Sequence, residues 1–231
     1  MSERLMISFA DGEHQIQGVA IAAAGTLLKV EHALTQQPPP TLSGDGSALT
    51  LRAGEGCELV LTALHCAEGP AADQPVTLHR AAGTVGSRDF AGLALVRREC
   101  PANAAVSIER SIDILFDATL AFSLRARRTT GAGGHGDEEI AAVVFRGEPL
   151  ELVAIEKPRL SSTYDAEGRL RHAGLELWES EEAELALRIG GEVLGSGELA
   201  GGDGAPTQVA FVAWHQNGRR GLGSYTITRA L

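Results

Sequence analysis

At 231 residues the chain has room for one large β domain or two small ones. Its formal net charge of −10 argues against nucleic acid, because phosphate binding draws its affinity from Lys and Arg. Aromatic residues are only 4% of the sequence and Gly numbers 28, so the core is built mainly from Val, Ile, Leu and Ala, with glycine serving frequent turns.

The N-terminal third reads as short strands. Residues 4–9 meet a turn at Asp11-Gly12, and strands over 15–22 and 26–34 follow. Pro38, Pro39 and Pro40 end this group, since consecutive prolines cannot donate ladder hydrogen bonds. Strands over 49–52 and 58–64 flank Gly54-Glu55-Gly56, and further strands cover 76–80 and 90–98, the last stopped by Cys100-Pro101.

From 106 to 126 every even-numbered residue is apolar except Arg110, while the odd positions are mostly polar: Ser107, Glu109, Ser111, Asp113, Ser123 and Arg125 among them. Side chains of a strand alternate between faces, so this pattern predicts β-structure with one dry side and one wet side. A helix over 104–116 with Asn103 as N-cap is the competing reading. The run is too long for one strand of typical length, about 5–6 residues, so it folds back, with Asp117-Ala118-Thr119 as the corner.

The glycine-rich stretch 129–136 marks a boundary, giving domains 1–130 and 131–231. Strands over 140–146, 150–156 and 160–164 lead to a turn at 165–168; strands over 169–178, 185–194, 208–215 and 221–228 follow. Asn217-Gly218 predicts a type I′ hairpin, because both residues tolerate positive φ. No crossover helix separates these strands, which excludes a parallel βαβ sheet. The fold expected is all-β and antiparallel: two lipocalin-like barrels or sandwiches in tandem, with one large two-sheet sandwich as the alternative.

Cys57, Cys66 and Cys100 are odd in number and form no CxxC pair, and the apolar stretch 5–10 is too short for a secretory signal. Free thiols in a reduced cytoplasmic setting are expected, with no membrane insertion. Gly218, Gly221 and Gly223 lie in a hairpin with no following helix, so they are turn and strand glycines rather than a phosphate loop. No P-loop, HExxH or GxSxG motif occurs. The seven histidines form no close-spaced pair, and neither metal nor cofactor is expected. His135-Gly136-Asp137-Glu138-Glu139 reads as an exposed polar loop or, functionally, as a general acid or cation-binding loop. The acidic run Glu176, Glu179, Glu181, Glu182 and Glu184 reads as a solvated turn.

Two features carry chemistry. The strand over 170–178 places His172, Glu176 and Trp178 on one face, where they line a cavity or face solvent; His172 and Glu176 are the candidate catalytic pair. Arg110 interrupts a dry face: it pairs with a structural carboxylate, lies at a strand end where its head reaches water, or holds a ligand oxygen. Arg110, Phe122, Trp178 and Trp214 are the candidate ligand-binding residues.

The segment 211–225, FVAWHQNGRRGLGSY, together with Thr163-Tyr164-Asp165 and Gly174-Leu175-Glu176-Leu177-Trp178, resembles the tail of the hydroxyneurosporene synthase-like group. Those are tandem lipocalin-like proteins that include carotenoid hydratases and cyclases of terpenoids and polyketides. The first half lacks that group's Ser-Trp-Gly type motif; Ser87-Arg88-Asp89 stands near its place without the tryptophan. The resemblance implies architecture and ligand class, and no catalytic residue. The expected function is binding of a hydrophobic small molecule (terpenoid, polyketide or lipid-like) in a barrel cavity. An isomerase, hydratase or cyclase is the enzymatic alternative, which requires Arg110, His172 and Glu176 to converge. A non-catalytic module pairing through sheet edges into a homo-oligomer is the third reading.

Overall fold

A computed structural model describes residues 4–45, 47–65, 76–99, 106–132, 137–180, 182–200 and 205–229. Strands β1 to β9 are Arg4–Asp11, Ile16–Ile21, Gly25–Val30, Ala33–Gln37, Thr41–Gly44, Ala48–Ala53, Cys57–His65, Val76–Val85 and Arg88–Glu99. Strands β10 to β18 are Val106–Asp117, Leu120–Thr129, Glu139–Arg146, Glu151–Ile155, Lys157–Tyr164, Leu170–Trp178, Leu187–Leu199, Thr207–Gln216 and Arg219–Arg229.

They form two nine-stranded antiparallel sheets, ordered β4-β3-β2-β1-β9-β8-β7-β6-β5 and β13-β12-β11-β10-β18-β17-β16-β15-β14. Adding nine to each strand number of the first order gives the second, so the chain repeats one up-and-down topology. The first and last strands of each half pair, rolling each sheet into a barrel. Each seam falls between strands consecutive in sequence. In the second barrel only Glu156 separates β13 from β14, so one bent strand pairs with β12 at its start and β15 at its end. That closes an eight-membered ring, nine segments less one, whose interior is either filled by side chains or holds one small ligand. In the first barrel Pro38, Pro39 and Pro40, which lack an N–H, occupy the seam.

The division between the sheets falls between Glu99 and Val106, which corrects the expected boundary at 130. The glycine-rich stretch lies between β11 and β12, which pair within the second sheet. A hairpin loop and an interdomain linker make the same demand on composition, and only pairing separates them. The expected corner is present: Thr119 donates its N–H (2.8 Å) and hydroxyl (2.6 Å) to Asp117 Oδ1 between β10 and β11. Residues 106–116 are strand, not helix. Asn217 and Gly218 have φ of 47° and 79° and join β17 to β18. Gly223 is needed for a different reason: a Cβ there would lie 1.9 Å from the Asp113 carbonyl oxygen, so β18 could not approach β10 with any side chain.

Each barrel has its own apolar core. The first is filled by residues such as Phe9, Leu51, Leu59 and Phe90, and the second by Ile112, Phe122, Val212 and Trp214. The barrels then dock outer face to outer face. Strand β1 shows the arrangement: Ile7 and Phe9 enter the first core, while Met6, Ser8 and Ala10 face the second barrel. Met6 joins Leu27, Leu199 and Phe211 at one end of the interface, and Ala10 joins Leu95, Leu115 and Phe145 at the other.

Between these apolar patches lies a buried polar network. Arg97 pairs with Asp113, their side chains only 2% and 1% exposed. Arg97 donates to Ser123 Oγ (2.6 Å), and Ser123 donates to Asp113 Oδ1 (2.8 Å). Ser8 donates to Asp113 Oδ2 (2.7 Å), and its hydroxyl lies 2.9 Å from that of Ser224. The polar side of 106–126 is therefore not wet: Ser111, Asp113, Ser123 and Arg125 are all buried by the docking.

Candidate functional site

The one flaw in the dry face of β10 is resolved inside the second barrel. Arg110 pairs with both carboxylate oxygens of Glu138, with Nη1 to Oε1 at 2.6 Å, and Arg128 Nη2 reaches the same Oε1 at 2.6 Å. A structural carboxylate thus meets the expected need, and it comes from the polar cluster preceding β12; His135 of that cluster lies outside the described residues. Nearby, the Tyr225 hydroxyl sits 2.9 Å from Ser162 Oγ and 3.1 Å from the Tyr164 hydroxyl. Burial, followed by the neighbouring Tyr164, raises the Tyr225 pKa well above that of an ordinary phenol. It stays a neutral hydroxyl. A cavity of about 370 Å³ opens at this barrel mouth, bordered by Leu170, Ser196, Gln208, Tyr225 and Ile227.

Phe122 and Trp214 share this barrel's core with Tyr225, as side chains packed 1% and 0% exposed. Trp178 does not join them. It lies on the outer face, with the Arg159 guanidinium 4.9 Å above its ring. His172 is exposed on that same side of β15, and Glu176 pairs outward with Arg188 at 3.3 Å. From Ala173 onward the inward residues are Ala173, Leu175 and Leu177; Leu170 also enters the core, because the register shifts opposite Thr163 and Tyr164. Arg110 is therefore separated from His172 and Glu176 by the barrel wall, and the three do not converge. This corrects the catalytic constellation drawn from the sequence.

The larger space lies between the barrels, where a cleft of about 580 Å³ opens beside the docked faces. Leu93, Leu115, Phe116, Leu194 and Leu222 give it an apolar wall, and Asp11, Gln17, Lys29, His32 and Arg80 a polar one. Gln17 and Lys29 are cross-strand partners on β2 and β3. The Gln17 amide donates to the carbonyls of Val212 (3.3 Å) and Gly223 (3.0 Å), anchoring the second barrel. Lys29 is 5% exposed, and Nζ donates to the Glu31 carbonyl. Burial pushes its pKa below the usual lysine value.

Asp11 closes the β1–β2 turn beside the cleft. Its carboxylate accepts N–H bonds from Glu13 (3.0 Å), His14 (3.1 Å) and Ala91 (2.9 Å), and His14 Nδ1 lies 2.7 Å away. Burial opposes ionisation at Asp11, but these bonds outweigh it and hold its pKa below the ordinary value. Bonding to Asp11 raises the His14 pKa. Cys57 is a free, buried thiol that burial pushes up to about 11, so it is not a nucleophile; Cys66 and Cys100 lie outside the described residues.

Lys29 and Gln17 escaped the sequence reading. The signal for Lys29 was of the kind that flagged Arg110: an ionisable residue inside an apolar run, here Leu27-Leu28-Lys29-Val30. Among the described residues no group of three or more His, Cys, Asp or Glu could hold a metal ion, and no helix is long and apolar enough to cross a membrane.

No protein-family profile and no curated protein matches the chain. Solved structures do. CghA, crystallised with Sch210972, superimposes with a TM-score of 0.64 at 10% identity, covering 98% of this chain and 87% of its own. A Nitrosomonas europaea protein described as AttH-like gives 0.62 at 11% identity, covering 98% and 91%. Kievitone hydratase from Nectria haematococca gives 0.60 at 11% identity, covering 99% and 88%. At such identities the likeness is one of fold. It extends the tandem lipocalin-like architecture over the whole chain, beyond the C-terminal segment that first suggested it.

Proposed function

We propose that the protein binds a hydrophobic small molecule, of the terpenoid, polyketide or lipid-like class, in the cleft between its barrels. The observation that carries this reading is the cleft itself, lined by four leucines and Phe116 together with polar side chains of which Asp11, Gln17 and Lys29 are buried. Such a pairing suits a ligand with an apolar body and one oxygen function, because apolar area supplies affinity and a few polar groups fix orientation. The second barrel offers smaller spaces, about 370 Å³ at the end bordered by Tyr225 and about 340 Å³ at the end bordered by Phe122 and Val144. A second reading is turnover of the same molecule by hydration, isomerisation or cyclisation. It is favoured by the ionisable groups Asp11, Lys29 and His32 lining one wall, and a hydratase is among the proteins sharing this fold.

Native mass spectrometry of the purified protein, with titration of a fluorescent lipophilic probe, tests the binding reading. A released lipophile or saturable probe binding is expected. Leu194→Arg would fill the cleft from a residue already 38% exposed, and should abolish probe binding without lowering Tm. Ser196→Trp, at the mouth of the second barrel, should leave binding intact. Loss of binding in the second variant and not the first overturns the cleft as the site.

A further inference from the structure

Lys29 and Lys157 are the only lysines in the sequence; the other eighteen of its twenty basic side chains are arginine. The two differ in surroundings. Lys157 is exposed, whereas Lys29 is buried and lines the cleft. Its stem passes the second barrel at Gly195, where a Cβ would lie 3.8 Å from Lys29 Cδ, so the amine sits where the barrels meet. The bond that holds its Nζ goes to a backbone carbonyl, and no carboxylate of the described residues lies within ion-pair distance of it. Asp11, the acid of the same wall, is already occupied by three backbone N–H groups and His14.

If a fixed positive charge were all this position required, arginine would serve, as it does nearly everywhere else in the chain. Arginine stays protonated and cannot act as a nucleophile, whereas a lysine desolvated without a counter-charge gives up its proton. We propose that Lys29 is a nucleophilic amine that forms a reversible imine with an aldehyde or ketone ligand held in the cleft. This rests on the cleft being the ligand site. The Nζ lone pair attacks the carbonyl carbon, the C=O π pair moves to oxygen, and one N–H proton is transferred to that oxygen, giving a carbinolamine. Loss of the hydroxyl with the remaining N–H proton, as one water, leaves the C=N bond. No oxidant or reductant is consumed. Burial lowers the proton affinity of Nζ, so that near neutral pH its uncharged fraction exceeds that of an exposed lysine.

Having just two lysines makes the test clean. The full chain is incubated at neutral pH with octanal and sodium cyanoborohydride, which reduces an imine to a stable secondary amine, and then digested and mapped by mass spectrometry. Lys29 should be alkylated at least about tenfold faster than Lys157, because a desolvated amine without a counter-charge gives up its proton more readily, and saturably with octanal. Octanol, which fits the same space but cannot form an imine, should compete. Lys29→Arg should lose the adduct. Alkylation of Lys29 no faster than Lys157, in protein that binds the probe and releases it on Leu194→Arg substitution, overturns the imine while leaving the cleft standing. Failure of probe binding in the unmodified protein overturns the site itself.

Discussion

The first and second barrels follow one strand order, yet they bury different things. The first is filled by aliphatic and aromatic side chains, whereas the second also encloses Arg110, Glu138, Tyr164 and Tyr225 at its mouth. A third region, the surface between them, carries the most deeply buried ion pair among the described residues, Arg97–Asp113. Topology alone does not decide where charge is buried, because a strand order fixes which backbones pair and leaves the side chains of each face free. What the faces carry is decided by which of them meets water, which meets the barrel axis and which meets the neighbouring barrel.

These two ionic clusters should respond differently when broken. Asp113→Ala is expected to have the largest effect, because among the described residues it leaves the Arg97 guanidinium, at 2% exposure, with the Ser123 hydroxyl as its hydrogen-bond partner. Removing one partner of a buried pair costs about 3–5 kcal/mol, so urea denaturation should show the barrels separating or unfolding early. A loss below about 1 kcal/mol would mean that the apolar patches hold the interface and the network is incidental. Glu138→Gln comes next. It removes the carboxylate shared by Arg110 and Arg128, but the Arg128 side chain is 17% exposed and water reaches this end of the barrel. About 2–3 kcal/mol is expected, the worth of hydrogen bonds to a charged group, with the inter-barrel surface undisturbed.

Tyr225→Phe probes the same barrel mouth more gently. It deletes the hydroxyl bonded to Ser162 and Tyr164 while keeping the ring in the core, and should cost about 1 kcal/mol in the same assay. The smallest effect belongs to the rim of the cleft. His14 has its pKa raised above 6.5 by Asp11, so its contribution is complete below 6.5 and fades as pH rises through the raised value. Asp11 works in the opposite sense: its depressed pKa gives stability above 3.8 that is lost on acidification. Tm measured across pH 5–9 should therefore decline above 6.5 in the parent and lose that limb in His14→Gln. An unchanged slope would place the titrating group elsewhere.

The run 106–126 shows how far the sequence reached. Its alternation specified two antiparallel strands and Asp117 their corner, while the oddity of Arg110 posed a choice of partner that the structure resolves with Glu138. The same alternation misled on its polar side, where Asp113 and Ser123 read as solvent-facing. Alternation reports that two faces differ, and polar side chains suit water and a satisfied buried network equally well. Likewise His172 and Glu176 shared a face in the sequence, but nothing in it stated that the face points away from the barrel axis.

What the sequence determined by itself is local: strand after strand, Asn217-Gly218 as a tight hairpin, prolines where a ladder stops, and no crossover helices, hence antiparallel sheet. These follow from backbone sterics and hydrogen-bond supply, which act over a few residues. The tertiary structure alone decided the boundary at β9–β10, the burial of Arg97 with Asp113, and the cleft that places Lys29 beside a leucine wall. Each of these arises from contacts between residues far apart in the chain, and they exist only once two completed barrels have chosen which outer faces to press together.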